Sequence, residues 1–435
     1  MLRKVLGTSD SLKGQLLRGG LGNGVLKIAY IITQFAIGVI LARALSPDGY
    51  GKYAYALAVV QLLVVVSQFG FPNYLVKSVA EYRHEKKWGL NRGLLATATA
   101  VTLLLSTFIA LLLFFDYKSW GLRLSGLDSS LFWPSLLLIP LLALVANYSG
   151  VLRGYGLLVK GNVPDQLVRP VSLLCFVGVL VLGESASPGI ALWMNVAATS
   201  IALLMSGLLV QWHILKPFYG AKIEWDVNNW VRSSSAFLLL AGAQVINHQA
   251  DMVMLGLMAA ERDVGLYRVT VQVVDGLGVV FFAISVAIAP KLAALRAQDE
   301  WPKIGKILKA SHRIGFALLL APSVFILYFS RPLLAIVFGA DYAAASSSLS
   351  ILVMGKLSYA LFAFSGLALS MIGWANVAAA LTGVAVVLNI CLNFILIPVY
   401  GIEGAAFATA ASSVFANVAG AVWLWRKTGM NVSGI

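Results

Sequence analysis

Twelve long apolar runs, each closed by charge, proline or glycine, divide this chain of 435 residues. They fall at 22–44, 53–72, 93–115, 130–149, 166–183, 188–212, 233–258, 264–288, 313–330, 346–372, 376–398 and 402–425. An α-helix needs about 20 apolar residues to cross a bilayer, and only helices or closed barrels satisfy their backbone hydrogen bonds inside one. Hydrophobic residues make up 60% and charged residues 11%, against about 45–50% and 25% in soluble domains. Soluble enzymes, secreted disulfide scaffolds and disordered chains are excluded. The chain reads as an all-α polytopic membrane protein.

The formal net charge is +14. In a soluble domain that excess would suggest nucleic acid, but in a membrane protein Lys and Arg record topology. With the N-terminus cytoplasmic, the opposite side holds only Arg43, Lys52, Lys118, Arg123, Arg262, Arg268 and Arg331. Lys356 lies inside a span, and every other Lys and Arg falls on the cytoplasmic side. Both termini are therefore expected inside, with no nucleic-acid partner. Cys175 and Cys391 fall in separate apolar runs and are expected to pack as small apolar side chains. Residues 1–20 alternate leucines with basic residues, as an interfacial amphipathic helix does. The first run ends in Ala42-Arg43-Ala44, which resembles a signal-peptidase site, but its length points to an uncleaved helix.

Connections are short. The longest on the outer side spans 116–129, and the longest inner ones span 73–92, 213–232 and 289–312. None can house a nucleotide-binding or catalytic domain, so the chain is not expected to be an enzyme or to carry a cofactor. Gly20-Leu21-Gly22-Asn23-Gly24 lacks the preceding strand of a dinucleotide site and suits close helix packing instead.

Gly51-Lys52-Tyr53 after the first run recurs as Gly265-Leu266-Tyr267 after the seventh. The same offset pairs Gln34 with His248 and Gln61 with Asp275, polar at membrane depth in both halves. Two pseudo-symmetric six-helix lobes around a central cavity fit this repeat. The expected organisation is 1–20 interfacial helix, 21–212 first lobe, 213–232 cytoplasmic linker and 233–435 second lobe.

Ionisable groups inside spans are costly, about 2.5–3.5 kcal/mol each on insertion scales, and mark function by default. Here they are Asp251, Asp275 and Lys356, with His248 nearby. Gln244, Asn247, His248 and Asp251 share one helix face. Counted from the turn near 262, Asp251 and Asp275 differ by only about 3 Å in depth at 1.5 Å per residue. A structural ion pair of Lys356 with one aspartate is the alternative reading. Asn389 and Asn393 stand one turn apart, with Thr409 at comparable depth; such oxygens either join helices or suit a small hard cation.

The run Leu388-Asn389-Ile390-Cys391-Leu392-Asn393 through Pro398, Tyr400-Gly401 and Gly404-Ala405-Ala406 resembles the signature of bacterial polysaccharide flippases. Further matches are Leu41–Tyr53, Asp251–Gly256 followed by Val264–Tyr267, and Phe338–Tyr342. Together they resemble the O-antigen flippase type of the polysaccharide transporter family. Its superfamily includes lipid II flippases and multidrug-and-toxin exporters. The resemblance implies alternating access at the bacterial inner membrane and an undecaprenyl-pyrophosphate-linked oligosaccharide as cargo. It also implies a sodium site at Asp251, Asn389, Asn393 and Thr409, with Asn393 where the lipid II relative has a carboxylate. A sodium ion or a proton is then the coupling ion.

On this reading Lys27, Arg43 and Lys356 meet the pyrophosphate, and Gln34, Gln61 and His248 meet sugar hydroxyls, with Asp275 beside them. Alanine at Asp251 is expected to abolish transport without loss of folded protein. A polysaccharide polymerase is a candidate partner. The alternatives are a multidrug exporter of the same superfamily and a membrane polymerase, the second disfavoured by the small outer loops.

Overall fold

The computed structural model describes residues 12–115, 128–182, 186–215 and 222–430. Residues 1–11 of the expected interfacial helix lie outside this range, as do 116–127 of the outer connection and 216–221 of the linker. In chain order the helices are α1 (Leu12–Gln68), α2 (Phe71–His84), α3 (Trp88–Phe115), α4 (Ser129–Gly154), α5 (Leu158–Val163), α6 (Arg169–Leu182), α7 (Pro188–Val210) and α8 (Val227–Met258). They continue with α9 (Glu261–Ala297), α10 (Trp301–Val337), α11 (Ser346–Ala360), α12 (Ser365–Met371) and α13 (Ala375–Thr428). No strand occurs among the described residues.

Among the described residues, eight helical stretches are long and apolar enough to cross a membrane, and α11 with α12 form a bent ninth. Two of the stretches are double. α1 breaks at Ser46, whose φ is 61°, because Pro47 drives its predecessor out of the helical region and then opens a new helix. α13 breaks at Gly401, with φ of 54°, a left-handed turn that favours glycine. Counting both halves of each, and α8, gives the expected twelve crossings. A π-helical turn, Pro164–Val168, joins α5 to α6.

Two inner connections are not loops. Residues 71–84 form α2, and α9 and α10 extend through 289–312 to a tight turn at Asp299 (φ 58°). The charges there suggest loop, but Ile288 and Leu292 on α9, and Ile304 and Leu308 on α10, stand four apart and are buried, so one face of each helix pays the folding cost. Cys175 and Cys391 are both exposed on their helices rather than packed inside.

Contacts group the chain into two compact units, Met1–Leu41 with Ala56–Val245, and Ala42–Tyr55 with Ile246–Ile435. The sequence reading placed one boundary at the 213–232 linker. In the first unit, Phe71, Leu75, Leu94, Leu152 and Trp230 form the core. Trp230 is fully buried, and its Nε1 donates to the Tyr82 hydroxyl at 2.9 Å. A methyl group on Gly70 would overlap the Ser234 carbonyl, which ties the start of α8 to this unit. The Trp230→Ala variant is expected to lose about 3–5 kcal/mol of stability, read as a lowered Tm in detergent; an unchanged Tm would contradict this role.

In the second unit the two halves of the sequence repeat pack on each other. A Cβ on Gly51 would strike the Glu261 carbonyl, and one on Gly265 would strike that of Pro47. This crossing, the Lys52–Glu261 ion pair at 3.3 Å and the Tyr50–Gln272 hydrogen bond at 3.2 Å bind residues 42–55 to α9. A second core gathers Phe281, Leu308, Phe364 and Leu424. There the fully buried His312 accepts a hydrogen bond from the Phe364 backbone N–H at 3.0 Å, at the break between α11 and α12.

Candidate functional site

Four elements of the second unit surround a cavity of about 330 Å³. α8 contributes Asn247, His248 and Asp251; α9 contributes Tyr267, Val271 and Asp275; α11 contributes Gly355, Lys356 and Tyr359; and α13 contributes Thr409 and Ser413. α11 meets α13 closely because a methyl group on Gly355 would already strike Ala410.

Asp251 is buried at one end of this cavity. Its Oδ1 accepts from Asn393 Nδ2 at 2.6 Å. Its Oδ2 accepts from the Tyr267 hydroxyl at 2.9 Å and from the Thr409 hydroxyl. Asn393 Nδ2 also donates to Asn389 Oδ1 at 3.1 Å, and Asn389 Nδ2 reaches Thr409 Oγ1 at 3.5 Å. The residues named from sequence for ion coupling, Asp251, Asn389, Asn393 and Thr409, thus form one hydrogen-bonded cluster. Charge-assisted bonds of this kind are about twice as strong as neutral ones, so the carboxylate staples α8, α9 and α13.

The cluster holds one asymmetry. Asn393 Oδ1 is buried and has no hydrogen-bond partner, a rare condition for a native polar atom. Turning the Asn393 amide over exchanges donor for acceptor. The hydroxyls of Thr409 and Tyr267 can likewise rotate their protons away. The donor-lined cage then becomes a set of oxygens around one carboxylate, chemistry that fits a small hard cation. No group of three or more His, Cys, Asp or Glu that could hold a metal ion occurs among the described residues.

His248, Asp275 and Lys356 line the same cavity, as their shared depth in the sequence led us to expect. Arg43 is elsewhere in this unit: its guanidinium donates to the carbonyls of Val337, at 2.9 Å, and Ile336, closing the C-terminal end of α10. Lys27, Gln34 and Gln61 belong to the first unit. There Lys27 Nζ lies 4.9 Å from the Tyr30 ring centre, and Gln34 Nε2 donates to the Tyr30 hydroxyl at 3.1 Å. Tyr267 is the site residue that sequence reasoning missed. It was counted only as part of the Gly265-Leu266-Tyr267 repeat, although a hydroxyl near the depth of an unpaired acid is itself a signal.

The polysaccharide biosynthesis protein family matches residues 16–296, and the lipid II flippase MurJ family matches residues 175–433. The chain belongs to the polysaccharide flippase family. An O-antigen transporter of Shigella flexneri is 24% identical over 85% of this chain and 88% of its own length. A protein of Haloferax volcanii named as a low-salt glycan biosynthesis flippase is 31% identical over 37% of this chain. The matched stretch spans only 34% of that relative. An inward-facing MATE family multidrug transporter shares the fold, with a TM-score of 0.76 at 12% identity, covering 93% of this flippase and 98% of the transporter. The two-lobed, multi-pass helical architecture of the flippase follows that of this transporter.

Proposed function

We propose that this flippase moves an undecaprenyl-pyrophosphate-linked oligosaccharide across the bacterial inner membrane by alternating access, for surface polysaccharide assembly of the O-antigen kind. The observation that carries the proposal is the Asp251 cluster, set in a polar cavity at membrane depth within a chain of this family. The pyrophosphate and glycan enter a polar path while the polyprenyl tail remains in lipid. Lys27 meets the phosphates through charge-assisted bonds; Gln34, Gln61 and His248 meet sugar hydroxyls. No covalent chemistry is performed, both termini are cytoplasmic, and a polysaccharide polymerase is the expected neighbour.

Coupling follows from differential affinity. A sodium ion or proton that binds Asp251 more tightly in one conformation than in the other shifts the equilibrium between them, and a ligand without such a preference shifts nothing. Asn389, Asn393 and Thr409 supply the oxygens for sodium; protonation of Asp251 would instead turn the carboxylate into a donor.

Depletion of the protein is expected to raise lipid-linked oligosaccharide on the cytoplasmic face at least several-fold and to remove surface polysaccharide. The check is a measurement of that pool separated by membrane face. Unchanged pools with normal surface glycan would refute the reading and move drug export, suggested by the MATE-like fold, to first place.

A further inference from the structure

Lys356 is the only Lys or Arg among the described residues that lines the cavity. Its Nζ lies 5.2 Å from the Tyr359 ring centre and 5.7 Å from that of Phe281. It makes no hydrogen bond and no ion pair with any described residue. Asp275 lines the same cavity and acts on Lys356 through space, without an ion pair. Asp251 is already occupied by its three donors. An ammonium set against two aromatic faces, with a carboxylate near it but not bonded to it, keeps its hydrogen-bonding capacity for an anion.

The cavity restricts which anion. Its volume, about 330 Å³, is at the low end of the range of about 300–1,000 Å³ for small-ligand sites, room for a single sugar ring and not an oligosaccharide. A pyrophosphate, with two or more negative charges, would meet one ammonium against the carboxylates of Asp251 and Asp275. A sugar bearing one carboxylate pairs with the same ammonium and meets less repulsion from those two carboxylates. Asn247 and Ser413 offer neutral hydrogen bonding for ring hydroxyls, and Tyr359 an aromatic face for the ring. We infer that this cavity receives an acidic sugar of the uronate class, its carboxylate paired with Lys356, so that Lys356 selects for acidic glycans in the cargo. The inference rests on the flippase reading above and replaces pyrophosphate with a sugar carboxylate as the partner of Lys356.

The test uses the full-length protein in lipid nanodiscs, with glucuronate, glucose and inorganic pyrophosphate as probes in saturation-transfer NMR titrations. Glucuronate is expected to bind at least about tenfold more tightly than glucose or pyrophosphate, the ratio for 1.4 kcal/mol. Lys356→Gln should remove that preference and leave glucose binding as it was; Lys356→Arg should keep it, and Asp275→Asn should strengthen it. A preference for pyrophosphate, a preference that survives Lys356→Gln, or no glucuronate binding would overturn the inference. A lowered Tm in Lys356→Gln with unchanged selectivity would also overturn it, as a structural role. In reconstituted vesicles, equal movement of neutral and acidic lipid-linked glycans would remove this inference and keep the flippase reading. Movement of neither would remove both.

Discussion

The Asp251→Asn variant is expected to remain folded and membrane-inserted while its transport falls about 100-fold, near the upper end of coupling free energies of 1–3 kcal/mol. Asparagine matches aspartate in shape, so the packing of α8 against α9 and α13 survives. Its amide also finds a partner. The new Nδ2 can donate to Asn393 Oδ1, the buried acceptor now without one, once the Asn393 amide turns over. What disappears is the negative charge, and with it the capacity to hold a cation or exchange a proton. Alanine at the same position is a different experiment. It strands the donors of Tyr267, Asn393 and Thr409, at about 1–3 kcal/mol for each buried unsatisfied group. The loss of folded protein then obscures the loss of transport, contrary to what sequence alone suggested. Flux into reconstituted vesicles, measured beside the Tm of each variant, checks both statements. Full transport by Asp251→Asn would end any coupling role for this residue.

The Gly265→Ala variant is expected to fail structurally, losing about 3 kcal/mol, the top of the usual range for overpacking. The added methyl group meets the backbone carbonyl of Pro47, which cannot turn aside as a side chain can. Gly51→Ala should behave alike, because its methyl group meets the Glu261 carbonyl across the same crossing. Gly276, further along the same helix, has open space where a Cβ would be. Its alanine variant is expected to match or slightly exceed the parent, since glycine is about 1 kcal/mol worse than alanine inside a helix. Thermal unfolding in detergent separates the three. Equal Tm values would show that the glycine crossing contributes nothing.

Those glycines show how far the sequence could be read. The repeat of Gly51-Lys52-Tyr53 and Gly265-Leu266-Tyr267 was visible as a pattern, but that its two copies touch is a tertiary fact with no local trace. The twelve crossings were legible because a lipid-facing helix must be apolar over its whole length. The helical character of 71–84 and 289–312 was not, because charge on one face hides the apolar spacing on the other, as at Leu75 and Val79 or Ile304 and Leu308. In the site, Asp251, Asn389, Asn393 and Thr409 stood out as polar groups at membrane depth. Tyr267 did not, since one hydroxyl on a large apolar ring carries little weight in any reading of hydropathy. Arg43 looked available from sequence, and only the fold shows its guanidinium bound to the end of α10.

The length of α9 and α10 has a mechanical consequence. Each has 37 residues, about 55 Å at 1.5 Å per residue, against a hydrocarbon layer of about 30 Å. Much of the hairpin joining them must therefore stand clear of the bilayer. It carries Lys291, Arg296, Lys303, Lys306 and Lys309, each drawn to anionic headgroups by about 1 kcal/mol near the surface. Such a stalk acts as a depth gauge: sinking would drag ammonium groups into oil, and rising would pull them away from the phosphates.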